Sequence, residues 1–419
     1  MNKDLVVISC PIDTYSGYGA RSRDIVKSLL KLGKYDVKVL SQRWGNTSFG
    51  FLKDHNEQEL LDTLINKVEQ KPDIWIQITV PNEFQKIGSF NIGITAGIET
   101  TIAAANWIEG CNRMDLILTS SKHSQDVFKS SGFQKQDKAG NILGEVKLTT
   151  PIEVLFEGLD LNKYYKSSST FNLDSINEQF CFLFVGHWLQ GDFGQDRKNV
   201  GYMIKSFLET FKNKKQQPAL ILKTGMGPSS YMAQQEILNK INAVKNTVKG
   251  KLPNIYFIDG DLSDEEMNGL YNHKKVKAMV SLTKGEGFGR PLAEFSLIGK
   301  PILTTGWSGQ MDFLDKQHAI IIGGKLTPIH PSAVQKDVLV PESKWFTPED
   351  IEVAKGFKKI YKSYNSLLPL AKKLAHRNKS KFSLQDMTNK LESIFDNYVP
   401  DFPKKIELTL PKLNLPKLK

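Results

Sequence analysis

Short apolar runs alternate along this chain with stretches whose apolar residues recur at helical spacing. Leu5 to Cys10 is a continuous apolar run and predicts a buried strand, and Asp24 to Leu32 has helical periodicity. Tyr35 to Leu40, Asp73 to Thr79, Asn91 to Ala96 and Leu116 to Thr119 predict further strands. Glu57 to Val68 reads as a helix, and Ser120-Ser121-Lys122 opens another. Phe133 to Thr150 is polar around a turn signal at Ala139-Gly140-Asn141, which predicts a hairpin or loop insertion before a last strand at Ile152 to Phe156. Lys163 to Asn177 is polar and serine-rich, as a domain connection is.

The alternation then starts again. Strands are expected at Phe182 to Gly186, Ala219 to Thr224, Asn254 to Ile258, Ala278 to Leu282, Pro301 to Thr305 and Ala319 to Gly323. Helices are expected between them at Val200 to Phe211, Gln234 to Val248 and Ser263 to Tyr271. The first turn of the last carries Asp264, Glu265 and Glu266, as the helix dipole favours. Ile351 to Tyr364, Leu367 to His376 and Leu384 to Tyr398 complete the helices, with Ser383 as a cap. Strand–helix alternation implies parallel sheets covered on both faces, an α/β chain. It divides into a domain at 1–165, a second at 178–382, a helix at 383–398 and a basic tail at 399–419.

Composition adds limits. The 419 residues are enough for two domains and are 40% hydrophobic and 24% charged, an ordinary soluble balance. No apolar run approaches the roughly 20 residues that span a bilayer, and no signal peptide is expected before Leu5. Cys10, Cys111 and Cys181 are far apart, which argues for a reducing, cytoplasmic setting rather than a disulfide scaffold or zinc ribbon. Cys10 and Cys181 are expected to be buried small hydrophobes. Net charge is +11, and residues 404–419 hold five lysines against one glutamate. The balance suits an anionic donor or acceptor, an anionic membrane surface or nucleic acid, and does not choose among them. The tail reads equally as disorder or as a basic surface anchor, and Lys372, Lys373, Arg377, Lys379 and Lys381 form a second basic cluster.

The richest stretch runs from Lys284 to Gly309. Gly285, Gly287 and Gly289 follow an expected strand, so the backbone there can turn sharply and approach a ligand. Pro291 suits the first turn of a helix and Gly299 its end. A glycine loop feeding a helix N-terminus offers free N–H groups to an anion. Glu286 lies in the loop, and Glu294, one turn into the helix, leans back toward the same pocket.

The segment Gly-Glu-Gly-Phe-Gly-Arg-Pro-Leu-Ala-Glu, with Glu286 and Glu294 separated by seven residues, resembles the Glu-x7-Glu motif of retaining glycosyltransferases of family 4. The resemblance implies the GT-B fold, two Rossmann-like domains facing a central cleft, with the final helix crossing back to the first domain. It implies a nucleotide-sugar donor, a saccharide or lipid-linked acceptor and no catalytic metal. On that resemblance Glu286 contacts the donor sugar and Glu294 the ribose. Gly287, Phe288, Gly289, Arg290 and Pro291 belong to the same donor-binding loop. Asp196-Arg197-Lys198-Asn199 resembles the family's cation pair for the donor diphosphate. Where the family often has Arg after the strand glycine this chain has His187, so Lys198 and Arg197 carry more of the phosphate charge, with Lys223 a further candidate.

In the first half, Gly17 and Gly19 form a Gly-x-Gly loop between strand and helix, which reads as a plain turn or as a donor-facing loop of the family type. Glu99, at a strand end, is an acceptor-side candidate or a helix-start carboxylate. Asp259-Gly260-Asp261 has the form of a metal-binding Asp-x-Asp, but two short carboxylates around a glycine are ordinary turn chemistry, and that reading is preferred. The expected reaction is sugar transfer with retention. Two alternatives stay open: a glycosyltransferase acting on modified bases of viral DNA, and a non-catalytic module that binds nucleotide or glycan. Peripheral contact with an anionic membrane through the tail is a further expectation.

Overall fold

The computed structural model describes residues 3–137, 139–335 and 338–403. Strand β1 (Asp4–Cys10) has Val6, Val7, Ile8 and Cys10 all buried, so it is apolar on both faces, as a central parallel strand must be. It joins β2 (Tyr35–Ser41), β3 (Leu64–Ile65), β4 (Ile74–Ile78), β5 (Phe90–Thr95) and β6 (Leu116–Thr119). An antiparallel hairpin follows, β7 (Gly132–Gln136) with β8 (Ile142–Lys147), and then β9 (Ile152–Val154) returns to the sheet. This seven-stranded sheet is parallel, in the order β3-β2-β1-β4-β5-β6-β9.

The second half repeats the plan. Strands β10 (Cys181–Val185), β11 (Ala219–Lys223), β12 (Ile255–Ile258), β13 (Val276–Ser281), β14 (Ile302–Thr305) and β15 (Ile320–Ile322) form a parallel sheet in the order β12-β11-β10-β13-β14-β15. An antiparallel pair, β16 (Gly324–Pro328) and β17 (Lys344–Pro348), lies beyond it. Strand order reverses between β1 and β4 in one sheet and between β10 and β13 in the other. Chains leaving adjacent strands there diverge to opposite faces, which opens a crevice where ligands bind in such folds.

The last helix, Leu384–Tyr398, packs on the first sheet's core although it ends the second half. Met387, Leu391, Ile394 and Phe395 are buried there, each contributing about 1.5–3 kcal/mol of apolar burial. Thr388 Oγ1 donates to Ser28 Oγ at 2.8 Å on the facing helix, Gly17–Leu32. The two crossings between the halves run side by side: Leu159 N–H donates to the Phe382 carbonyl (2.8 Å) and Leu384 N–H to that of Leu159 (2.9 Å).

One expected element differs. Residues 57–68 are not a helix: only Gln58–Leu61 is helical, and Leu64–Ile65 extends to pair with β2. The Thr63 carbonyl accepts from Val39 N–H at 2.9 Å, so edge pairing satisfies backbone groups that β2 would otherwise leave open. The polar connection after Lys163 is bound to the helix Asp264–Asn272: Tyr164 Oη donates to Asp264 at 2.7 Å and Asn272 Nδ2 to the Tyr165 carbonyl at 2.9 Å. In the second basic cluster Arg377 is already held by Asp315 and the Phe313 carbonyl. The basic tail at 404–419 lies outside the described residues. Among the described residues no helix is long and apolar enough to cross a membrane.

Candidate active site

The loops that leave β1, β5, β10 and β13 meet between the two sheets and enclose two adjoining cavities of about 380 and about 470 Å3. Gly17, His187, Lys198, Arg290 and Pro291 line both. Lys223 and Glu294 face the first, and Glu99, Arg197, Glu286, Gly287, Phe288 and Gly289 the second. Gly19 lines neither. A Cβ there would lie 2.2 Å from the Thr14 carbonyl oxygen, so it serves the turn.

The glycines of the 285–289 loop answer a different demand from the one expected. A Cβ on Gly285 would stand 2.0 Å from the Glu99 carbonyl, and one on Gly287 2.2 Å from that of Ala96. These glycines let the backbones of the two halves touch across the crevice. Gly289 adopts φ +96° just ahead of the helix Arg290–Ser296, which has Pro291 in its first turn. That helix has seven residues, so its dipole is small and side-chain cations carry the electrostatics instead.

Lys198 Nζ lies 2.6 and 2.7 Å from the two Glu286 carboxylate oxygens. Arg197 donates to the Gly285 carbonyl (2.8 Å) and lies 3.5 Å from Glu286 Oε2 and 3.4 Å from Glu99 Oε1. Glu99 therefore reaches from the first half to a cation of the second. The helix Val200–Phe211 begins directly after these cations, with Asn199 in the left-handed conformation (φ +57°) turning the chain into it. Burial pulls Lys198 below the usual lysine range and Arg197 adds to this, against the Glu286 carboxylate. Burial alone would push Glu286 up, yet Lys198 and Arg197 hold it below the usual carboxylate range, so it is ionised.

Glu294 belongs to a separate cluster, which adjoins that of Glu286 without merging with it. Arg290 Nε donates to Glu294 Oε1 at 2.9 Å, while Arg290 Nη1 lies 2.5 Å from Asp24 Oδ2 and 3.8 Å from Glu157 Oε2. One guanidinium thus serves three carboxylates, two of them from the first half, and it is not free for phosphate. Lys223, at the end of β11, has no hydrogen bond or ion pair through Nζ among the described residues, which leaves it available to an anion in the cavity. Beside Glu99 and Glu286 the second cavity carries an aromatic wall, where the Tyr18 and Trp44 rings stack with centroids 4.0 Å apart.

Burial pushes the Glu294 carboxyl up to about 7, Arg290 opposing and Asp264 adding to it. A folded-state pKa above the unfolded value near 4.3 means that this group's contribution is fully present below about pH 4 and lost as pH rises toward 7. Glu294→Gln removes that dependence. Melting temperatures at pH 5 and pH 7.5 should fall less between the two in the variant than in the parent, and parallel curves would disprove the assignment.

Asp259 accepts from Ser229 and from Gln234 Nε2 (2.8 Å), and Asp261 accepts from Ser48 Oγ (3.1 Å). Among the described residues no group of three or more His, Cys, Asp or Glu side chains could hold a metal ion. With Asp259 engaged by neighbours, activity is expected to survive EDTA; loss on chelation with recovery on adding Mn²⁺ would restore a metal role for the pair. All three cysteines are buried free thiols.

Sequence reasoning passed over Asp24, Glu157 and the Lys163–Asp264 pair (2.6 Å). The helix Gly17–Leu32 buries Arg21, Ser22, Arg23 and Asp24 alongside Ile25, Val26 and Leu29. Charged residues interrupting an apolar stripe were the available signal.

No protein-family model matches the sequence, and no curated protein matches it. Solved structures do resemble it. Sucrose-phosphate synthase from Thermosynechococcus elongatus aligns with a TM-score of 0.63 at 10% identity, over 94% of this chain and 99% of that one. HepE of Anabaena, solved in complex with UDP-glucose, aligns at 0.61 and 12% identity, over 94% and 100%. A glycosyltransferase from Rickettsia africae aligns at 0.59 and 12% identity, over 96% and 100%. Identities this low speak to architecture alone, and in architecture this chain is a GT-B protein, two Rossmann-like domains facing a central cleft.

Proposed function

We propose that this chain is a retaining glycosyltransferase of the family-4 type, moving a sugar from a nucleotide-diphosphate donor to a saccharide or lipid-linked acceptor. The observation that carries the reading is the buried Lys198–Glu286 pair at the junction of the two crevices, with the unpaired Lys223 in the adjoining cavity. Departure of a nucleoside diphosphate builds negative charge, which Lys198 and Lys223 are placed to stabilise. Glu286 orients the donor sugar, and Glu294 holds the ribose. Retention is proposed on the resemblance of the Glu286–Glu294 segment to the Glu-x7-Glu motif. HepE, a structural relative, binds UDP-glucose, which makes UDP-sugars the first donors to try.

Thermal-shift screening against UDP-, GDP- and ADP-sugars tests the donor class. A ligand at 100 times its dissociation constant adds about 2.7 kcal/mol. NMR of the anomeric centre in the transfer product then tests retention. Absence of any stabilisation by all three donor classes would overturn the reading.

The Tyr18–Trp44 face supports a saccharide acceptor, since aromatic faces suit the C–H faces of sugar rings. The lysine-rich segment 404–419 would hold a cytoplasmic enzyme against an anionic membrane. Deleting 404–419 should weaken binding to anionic vesicles and spare donor hydrolysis. Salt-steep binding to duplex DNA without vesicle affinity would favour a nucleic-acid acceptor instead.

A further inference from the structure

A third cavity, of about 580 Å3, shares no wall residue with the two in the cleft. It lies between the loop at 193–195, the start of the helix Val200–Phe211, and the β16–β17 pair. Lys284 forms part of its wall and is only 4% exposed. Its Nζ makes no ion pair and no hydrogen bond among the described residues. Among the described residues its ring contact is with Trp345, 5.2 Å away. Asp196 exerts an attraction from a distance but is engaged elsewhere, accepting from Val200 N–H at 3.3 Å. Asn199, on the same wall, has a buried Oδ1 with no partner.

A buried ammonium without a direct ion pair is costly, and proteins rarely leave one uncompensated. Cation–π attraction offsets only part of that. We propose that this cavity is a second ligand site, taking a small phosphate-bearing anion whose oxygens pair with Lys284 Nζ. Its volume exceeds that of phosphate alone and admits an ester group. Burial pulls the Lys284 amine down to about 8, so an arriving anion also holds it charged.

Occupancy would be felt at the cleft. Lys284 N–H donates to the Arg197 carbonyl (2.8 Å), and the Lys284 carbonyl accepts from Phe346 N–H (2.9 Å). Glu286 follows two residues later. A ligand on Lys284 therefore fixes the corner from which the 285–289 loop departs.

The test is binding, independent of any transferase activity. Inorganic phosphate, against chloride at equal ionic strength, is titrated into the full chain and into Lys284→Met while melting temperature is read. Phosphate in the cleft raises both equally; the proposal expects an additional rise in the parent that the variant loses. Amine-labelling mass spectrometry of the parent at pH 8 gives a site-specific second reading, in which phosphate shields Lys284. Should Lys284→Met fail to fold, this labelling decides. Glycerol 3-phosphate run beside inorganic phosphate separates an ester, which binds tighter, from free phosphate, which binds as well alone. Equal shifts in parent and variant, or Lys284 labelling unchanged by both anions, overturn the site.

Discussion

Lys198→Ala is expected to lower kcat by about 10²–10³, or roughly 2.7–4 kcal/mol, with a smaller change in donor KM. The reason is where charge grows. Negative charge develops on the departing diphosphate, and a preorganised cation stabilises it more in the transition state than in the ground state. Lys198 is held by both oxygens of Glu286, which preorganises it. Removing it also leaves Glu286, 7% exposed, with Arg197, at 3.5 Å, as its remaining cation. Glu286→Ala should therefore affect kcat and KM together. On the proposed ribose role of Glu294, Glu294→Ala should mainly raise donor KM, because such a contact is equal in both states. The structure adds Lys223→Ala as the comparison. Steady-state kinetics at saturating acceptor on the four variants decide. Near-normal turnover of Lys198→Ala with a collapsed Lys223→Ala would transfer the phosphate role to Lys223.

Arg290→Ala should cost about 3–5 kcal/mol of stability, the usual loss when one member of a buried ion cluster is deleted. Three carboxylates, Asp24, Glu157 and Glu294, would lose their shared cation, and two of them belong to the opposite half of the molecule. Their own exposure is small, with side chains of Asp24 and Glu294 at 10% and 8%. The defect carries a pH signature. Without Arg290, Glu157 and Glu294, which burial already pushes up, lose the cation that opposes the rise, so stability is regained as acid protonates them and is lowest near neutrality. Asp24→Asn, which leaves the arginine two partners, should cost less. Chemical denaturation at pH 5 and 7.5 provides the measurement. A loss under about 1 kcal/mol at pH 7.5 would show that water, not Arg290, compensates these carboxylates.

How far the sequence reached can be argued from particular residues. Apolar runs such as Cys181 to Val185 and Ala278 to Leu282 determined the strands, because a run apolar on both faces has no stable place outside a covered parallel sheet. The repeat of that alternation determined two sheets. The spacing of Glu286 and Glu294, the glycines between them, and the Arg-Lys-Asn segment at 197–199 determined which residues reach the cleft, since they lie on strand-to-helix connections or in the helix that follows. Residues 57–68 misled because their helical periodicity is local, while the pull of an open sheet edge comes from β2.

Tertiary structure alone decided who pairs with whom. Lys198 and Glu286 are 88 residues apart, and Arg290 meets Asp24 across 266. No periodicity encodes such partners, because they depend on how two sheets face each other rather than on the spacing within either. The same packing turned Gly285 and Gly287 into contacts between halves rather than toward a ligand. Among the described residues it left Lys223 without an ion pair in one cavity and Lys284 without one in another, although in the sequence both are lysines following apolar strands. A charge's partners are set by position in space, and the sequence specifies that only through the completed fold.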